Sequence, residues 1–168
     1  MLKTRVLTAL VIFPVTLAVV FLAPPLVFKG IIAILLMTGC HEFARICDLP
    51  ARWANLLMIL QAALFAMLFF AWDRITPHAV PILAAACVAW LALFSRLATF
   101  KPDAEPDDFY RRSGFVASLV SLTFCWFAIC CLHEQPRGEL VLFLLLLIIW
   151  ASDTGAYFAG VRFGRTKM

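Results

Sequence analysis

The sequence predicts an all-α, polytopic integral membrane protein with about six transmembrane helices. Composition is the first observation: hydrophobic residues make up 64% of the 168 residues, charged residues make up 14%, and the mean hydropathy is +0.98. A soluble domain carries about 25% charged residues, and a chain of this length cannot bury so much apolar surface inside a water-facing globule. Lipid is therefore the predicted surrounding of most side chains.

Segment length is the second observation. Apolar segments alternate with breaks that contain proline or a run of polar residues. Each segment has about 18–22 residues, which is enough to cross a ~30 Å hydrocarbon core at a rise of about 1.5 Å per residue. The predicted segments are 6–23, 26–44, 53–72, 79–99, 115–132 and 140–161.

A cleaved secretory signal is the alternative for the first segment, because Lys3 and Arg5 precede it. Bulky Phe21 lies two positions before Ala23, the candidate cleavage residue, and Pro24 follows directly. These neighbours favour a retained helix over a signal peptide.

The distribution of basic residues is the third observation. With the N-terminus in the cytoplasm, 11 of the 14 Lys and Arg residues fall on the cytoplasmic side, and Lys29, Arg74 and Arg137 fall on the other. Bacterial and eukaryotic membrane proteins show this bias of basic residues toward the cytoplasm. It predicts a multi-pass protein of the inner (plasma) membrane with both termini cytoplasmic. Because the bias explains the net charge of +4, no nucleic-acid partner is predicted.

The polar run 101–114 is predicted to be a cytoplasmic connector that contains a short surface helix. Asp107 precedes Arg111 by four residues, and Asp108 precedes Arg112 by four. Opposite charges at this spacing support a solvated helix face.

Six cysteines lie in or beside apolar segments, and no CxxC pair occurs among them. A zinc site at Cys40, His41 and Cys47 is the alternative, but the spacings of known zinc sites are absent. The cysteines are therefore predicted to be small buried apolar residues.

Two acidic residues call for a functional explanation, namely Glu42 near the end of the second segment and Asp153 inside the sixth. Asp153 is predicted to lie ~12 Å along the helix axis from its cytoplasmic end. A carboxylate at such depth costs roughly 2.5–3.5 kcal/mol unless it is paired, solvated or bound to a metal. In the structural alternative, each acid pairs with an arginine such as Arg45 or Arg96 and holds helices together.

The neighbours of Asp153 favour a ligand site. Ser152, Ala156 and Gly160 recur every four residues, which lets another helix approach closely, and Tyr157 follows Asp153 by one turn. Basic residues come next: Arg162, Arg165 and Lys167. Carboxylate oxygens bind Mg²⁺ and basic side chains bind phosphate, so this region predicts a site for a phosphate-bearing substrate with a divalent cation.

The stretch WASDTGAYFAGVRFGRTKM, residues 150–168, resembles the central motif of the phosphatidate cytidylyltransferases, also called CDP-diacylglycerol synthases. SDTGAY followed by GxxFGRxK carries most of the resemblance, and MLKTRVLTALVIFPV and the segment around Glu42 resemble the same family's N-terminal part. The resemblance implies a nucleotidyltransferase of phospholipid biosynthesis that joins CTP and phosphatidate, with Mg²⁺ as cofactor. Its products are CDP-diacylglycerol and pyrophosphate.

The resemblance also implies residue roles. Asp153 is the implied catalytic residue and metal ligand. The implied substrate-binding residues are Ser152, Thr154, Tyr157, Arg162, Gly164, Arg165 and Lys167, with Glu42 as a further candidate. Val161 departs from the family pattern, in which a base is common, and Arg162 is the expected substitute. Because the phosphate of phosphatidate attacks the α-phosphorus of CTP, alignment and charge neutralisation are the expected catalytic tasks.

Family members continue past this motif to a C-terminal signature of the form HGGxxDRxD. The chain is therefore expected to be one membrane domain, 1–168, that forms the N-terminal part of such an enzyme and is inactive alone. Alternatives are a transporter or channel component whose acids line an ion path, a noncatalytic membrane scaffold, and a related lipid-alcohol kinase or CDP-archaeol synthase. A homodimer also stays open.

Overall fold

A computed structural model describes residues 2–95 and 108–163 of the protein, with side chains described over 10–95 and 108–162. All regular structure in these ranges is helical. The helices are α1 (Leu2–Leu22), α2 (Pro25–Ile46), α3 (Ala51–Phe70), α4 (Trp72–Ile75), a 3₁₀ turn (Thr76–His78), α5 (Ala79–Ser95), α6 (Asp108–His133) and α7 (Gly138–Phe163).

Within the described residues, five helical stretches are long and apolar enough to cross a bilayer. They are Pro25–Ile46, Ala51–Phe70, Trp72–Ser95, Asp108–His133 and Gly138–Arg162. The apolar part of α1 with described side chains, Leu10–Leu22, is shorter, although the whole helix has 21 residues. The prediction of an all-α, multi-pass membrane protein is confirmed, and a sixth crossing by α1 stays a prediction.

The connector before α6 differs from the sequence-based expectation. Residues 108–114 are the first two turns of the long helix α6 and not a separate surface helix. Arg111 donates a hydrogen bond from Nη2 to the carboxylate of Asp48 at 2.7 Å, while its contact with Asp108 is 4.0 Å. Asp107 lies outside the described residues. Local charge spacing missed this contact because Asp48 is 63 residues away in the sequence.

The described residues fall into two compact units, one made of 2–24 with 132–163 and the other of 25–95 with 108–131. In the first unit, α1 and α7 run antiparallel. The rings of Phe13 and Trp150 lie 5.5 Å apart, and those of Phe21 and Phe143 lie 5.7 Å apart. These aromatic contacts fix the register of α7, which carries the candidate motif.

The second unit has an aromatic core in which α2, α3, α4 and α6 meet. Trp126 is fully buried, with ring centroids 5.6 Å from Phe65 and 5.7 Å from Trp72. Its indole N–H donates to the backbone carbonyl of Lys29 at 3.0 Å. The Lys29 ammonium lies 3.8 Å from the centre of the Trp72 ring, a cation–π contact that accommodates its charge in this core.

Polar contacts also join helices of this unit. Gln61 of α3 is fully buried, and its side-chain amide donates to the hydroxyl of Thr123 on α6 at 3.0 Å. In a bundle surrounded by lipid, such a hydrogen bond selects one helix partner over others. Gln61 therefore helps to set which face of α3 contacts α6.

A Schellman motif ends α2 and begins the turn to α3. Asp48 has a left-handed φ of 48°. Its N–H donates to the carbonyl of Arg45 at 3.1 Å, and the N–H of Leu49 donates to the carbonyl of Ala44 at 3.0 Å. Aspartate tolerates this conformation better than most residues. The motif turns the Asp48 carboxylate into reach of Arg111.

The topology prediction follows from the 11 of 14 basic residues assigned to the cytoplasmic side. Fusions of alkaline phosphatase and of a fluorescent protein after residues 75, 105 and 135 test it. Phosphatase activity is expected at 75 and 135, and fluorescence at 105. Phosphatase activity at 105 would contradict the predicted orientation.

A stability prediction concerns Gly114, where α6 passes close to the end of α2. An added Cβ would meet the Sγ of Cys47 and lie 3.0 Å from its Cβ. Gly114→Ala is therefore expected to lower the free energy of unfolding by about 1–3 kcal/mol, measured by thermal unfolding in detergent. Gly39→Ala is the matched control, since its Cβ meets nothing within 4 Å. Adding Cys47→Ala should restore part of the loss, and equal stability of both glycine variants would contradict the close packing.

Candidate active site

Helix α7 continues without a break through the candidate motif to Phe163. Glycines at 155 and 160 are tolerated there because membrane helices contain more glycine than soluble ones. Every residue from 151 to 162 is exposed, and a Cβ at Gly155 or Gly160 would meet nothing within 4 Å. The small-residue face predicted from Ser152, Ala156 and Gly160 is thus an open surface of this unit.

Asp153 is exposed on this surface, and no described residue of its own unit forms an ion pair with it. Ser152 and Thr154 flank it in the sequence, and Tyr157 follows one turn later on the same helix. Helix α7 therefore places Thr154 and Tyr157 on the same side as Asp153, whereas Ser152 faces away from Thr154 and Tyr157. The carboxylate of Asp153 and the hydroxyl groups of Thr154 and Tyr157 thus share one side of the helix.

Arg162 does not share this side of α7. Nine residues separate it from Asp153, which is about 2.5 turns and ~13.5 Å along the axis of an α-helix. Asp153 and Arg162 therefore lie on opposite sides of the helix and would contact different parts of a ligand. The predicted phosphate-binding residues Gly164, Arg165 and Lys167 lie outside the described residues.

Glu42 lies on α2, in the second unit, with 60% of its side chain exposed. Its carboxylate is 3.3 Å from Nη1 of Arg45, three residues later on the same helix. The structural alternative foresaw the pair with Arg45, but a contact within one helix does not hold two helices together. An exposed pair of this kind contributes little to stability, and the functional role of Glu42 stays a prediction. Arg96, the other arginine considered, lies outside the described residues.

No group of three His, Cys, Asp or Glu residues in the described ranges is placed to hold a metal ion. All six cysteines are free thiols; Cys40, Cys47, Cys130 and Cys131 are buried, as predicted, whereas Cys125 is partly buried and Cys87 is exposed. Burial raises the pKa of the Cys47 thiol. Cys47 therefore stays protonated at neutral pH and acts as an apolar packing group beside Gly114.

Comparison with known proteins decides the family. Residues 3–168 match the model of the cytidylyltransferase family. The chain belongs to the cytidylyltransferase family. The match extends from α1 to the end of the chain and so includes the helix that carries Asp153.

Two curated relatives of this cytidylyltransferase family member align with its whole length. The phosphatidate cytidylyltransferase of Pseudomonas aeruginosa is 29% identical over 174 residues, which make up 60% of that protein. The phosphatidate cytidylyltransferase of Haemophilus influenzae is 25% identical over 194 residues, which make up 63% of that protein. The chain thus spans somewhat less than two thirds of the curated relatives it matches. No solved structure matches it.

Proposed function

We propose that this protein is a CTP:phosphatidate cytidylyltransferase, a nucleotidyltransferase that makes CDP-diacylglycerol and pyrophosphate for phospholipid biosynthesis. The observation that carries the proposal is the match to the cytidylyltransferase family over 3–168, which includes the SDTGAY motif. The five long apolar helices support it, because a diacyl lipid substrate reaches an enzyme directly from the bilayer.

In the proposed reaction, a phosphate oxygen of phosphatidate forms a bond to the α-phosphorus of CTP, and the bond to the departing pyrophosphate breaks. The protein must hold two anionic substrates close together and in line. We assign this electrostatic task to basic groups and to the cation that accompanies CTP. Arg165 and Lys167 are the proposed phosphate contacts, while Ser152, Thr154 and Tyr157 offer hydroxyl groups beside Asp153.

Mg²⁺ is the proposed cofactor, with Asp153 as its protein ligand. Asp153 is a single exposed carboxylate, and no cluster of acids in the described part of the chain completes a metal cage around it. It does suit Mg²⁺, which proteins bind through one or two carboxylates together with substrate phosphates. The bound cation would neutralise charge on the triphosphate. By holding the cation, Asp153 would orient the nucleotide.

The proposed location is the inner (plasma) membrane with both termini in the cytoplasm, where CTP is present. The distribution of basic residues supports this orientation. A homodimer stays a prediction.

The test uses the full-length protein, purified in detergent, with Mg²⁺, labelled CTP and phosphatidate. We expect labelled CDP-diacylglycerol and an equal amount of pyrophosphate. Diacylglycerol with γ-phosphate-labelled CTP tests for a lipid-alcohol kinase, which would transfer the γ-phosphate and release CDP, and the corresponding ether-linked lipid tests for a CDP-archaeol synthase. Ion flux in liposomes without CTP would favour a transporter. Product from diacylglycerol alone, or flux without nucleotide transfer, would contradict the proposal.

A further inference from the structure

A cavity of about 420 Å³ lies in the second unit, where the turn between α2 and α3 meets the first turns of α6. The residues that line it include the basic Arg52, Arg111 and Arg112, the acidic Asp108, and the apolar Trp53, Phe115 and Val116. The volume is within the range of about 300–1,000 Å³ that is common for small-molecule sites. From the sequence, these arginines indicated only membrane orientation and, for Arg111 and Arg112, local charge pairs, so the site was not predicted.

The walls of the cavity are held by contacts distant in sequence. Arg111 donates from Nη2 to the Asp48 carboxylate at 2.7 Å and from Nε to the Asp48 carbonyl at 3.1 Å. The rings of Trp53 and Phe115 meet edge to face, with centroids 6.0 Å apart. Together with the close approach of Gly114 to Cys47, these contacts attach α6 to the α2–α3 turn and keep the cavity open.

The charges in the cavity are only partly neutralised. Arg111 is engaged by Asp48 and, at 4.0 Å, by Asp108. Arg52 and Arg112 are exposed, and no carboxylate of the described part of this unit forms an ion pair with either. Among the described residues, two guanidinium groups therefore border the cavity without an ion-pair partner, which favours an anionic ligand.

The position of the cavity favours a ligand from the membrane. Helix α2 ends at Ile46, α3 begins at Ala51 and α6 begins at Asp108, so three apolar spans have their ends at this site. Span ends lie near the head-group region, where tryptophans such as Trp53 are common. Basic groups next to the apolar surface of Phe115 and Val116 match an amphiphile with a phosphate head and hydrocarbon chains.

We propose that this cavity binds the head group of a lipid that ends in a phosphomonoester, with Arg52 and Arg112 contacting its phosphate and Trp53 and Phe115 contacting the start of its chains. A phosphomonoester presents three free oxygens, so two guanidinium groups can each bind a pair of them, whereas a phosphodiester presents only two. The choice of phosphatidate as the lipid rests on the proposed function, because phosphatidate is the phosphomonoester lipid of the proposed reaction.

The experiment measures binding without CTP, so its failure is distinguishable from failure of the enzymatic proposal. Full-length protein is placed in phosphatidylcholine nanodiscs that contain phosphatidate with a photoactivatable group near the head of one chain. After illumination, mass spectrometry locates the label. We expect saturable labelling of peptides that contain 49–53 and 108–116, reduced by unlabelled phosphatidate and unaffected by extra phosphatidylcholine.

Arg52→Gln combined with Arg112→Gln is expected to weaken this labelling by about tenfold or more, because two charge-assisted contacts are lost. Arg74→Gln is the matched control, since Arg74 is an exposed arginine of the same unit on α4, outside the cavity. Labelling of the double variant equal to that of the control would overturn the proposal.

Competition experiments on the unmodified protein test whether the cavity binds a lipid phosphomonoester, even where the double variant fails to fold. Equal competition by phosphatidylcholine would overturn the requirement for a phosphomonoester. Competition by glycerol 3-phosphate as strong as that by phosphatidate would overturn the lipid as occupant and indicate a site for soluble phosphates. Absence of saturable labelling at 49–53 and 108–116 would show that the cavity holds no such lipid.

Discussion

Asp153→Asn is expected to lower the rate of cytidylyl transfer by roughly 10²–10³ in the full-length protein, with little change in stability. Asparagine keeps the size and polarity of the side chain but removes its charge. Losing one transition-state charge contact commonly costs ~2.7–4 kcal/mol. Stability should change little because Asp153 is exposed and has no ion-pair partner among the described residues of its unit.

Initial rates at saturating CTP and phosphatidate, measured beside thermal unfolding, test this expectation. The dependence of the rate on Mg²⁺ concentration adds a readout specific to metal binding, and the variant should need more Mg²⁺. Asp73→Asn is the matched control, because it makes the same change at an exposed position on α4, outside the motif.

Two outcomes would change the assignment of Asp153. A well-folded variant with a nearly normal rate would remove Asp153 from the mechanism. Loss of thermal stability together with activity would support the structural alternative, in which the carboxylate pairs with an arginine, because a buried partner charge would then be left uncompensated.

Trp126→Ala is expected to lower the free energy of unfolding by about 3 kcal/mol, since it leaves a large cavity in the core of the second unit. The side chain is fully buried between Phe65 and Trp72 and donates a hydrogen bond to the carbonyl of Lys29. Lipid chains are as apolar as the core, so lost packing and not exposure to water accounts for most of the expected cost.

Unfolding in mixed micelles, followed by circular dichroism, measures the effect. Trp126→Phe is the control, because it keeps an aromatic ring in place and removes the indole N–H, at a cost of about 1 kcal/mol. An alanine variant as stable as the phenylalanine variant would contradict the view that packing around Trp126 holds the unit together.

Much of the candidate site could be predicted because it is local in sequence. Asp153, Thr154 and Tyr157 lie within two turns on one side of a helix, so helical periodicity alone places them together, whereas Ser152 faces away from Thr154 and Tyr157. Periodicity also puts Arg162 on the side of α7 opposite Asp153. The sequence-based prediction grouped Arg162 with the basic residues at the helix end and did not take this separation into account. The partner of Glu42 was foreseen for the same reason, since Arg45 is three residues away on α2.

The sequence by itself determined that lipid surrounds the protein, where the helices lie and which family the chain belongs to. Apolar segments of sufficient length require lipid, and inside lipid a chain must satisfy its backbone hydrogen bonds within each helix. Segment positions and proline breaks then place the helix ends to within a few residues, with the exception of α6, which begins at Asp108. The SDTGAY motif indicated the cytidylyltransferase family that the comparison over 3–168 confirmed.

Only the tertiary structure decided which helix faces meet. Helices that are apolar on every side carry no hydrophobic stripe to mark the packed face, and lipid provides no hydrophobic force that selects one. The bond of Arg111 to Asp48, the fit of Gly114 against Cys47 and the contact of Lys29 with Trp72 all join residues far apart in sequence. The arginine-lined cavity exists because such contacts bring the α2–α3 turn to α6, and no local pattern specifies that meeting.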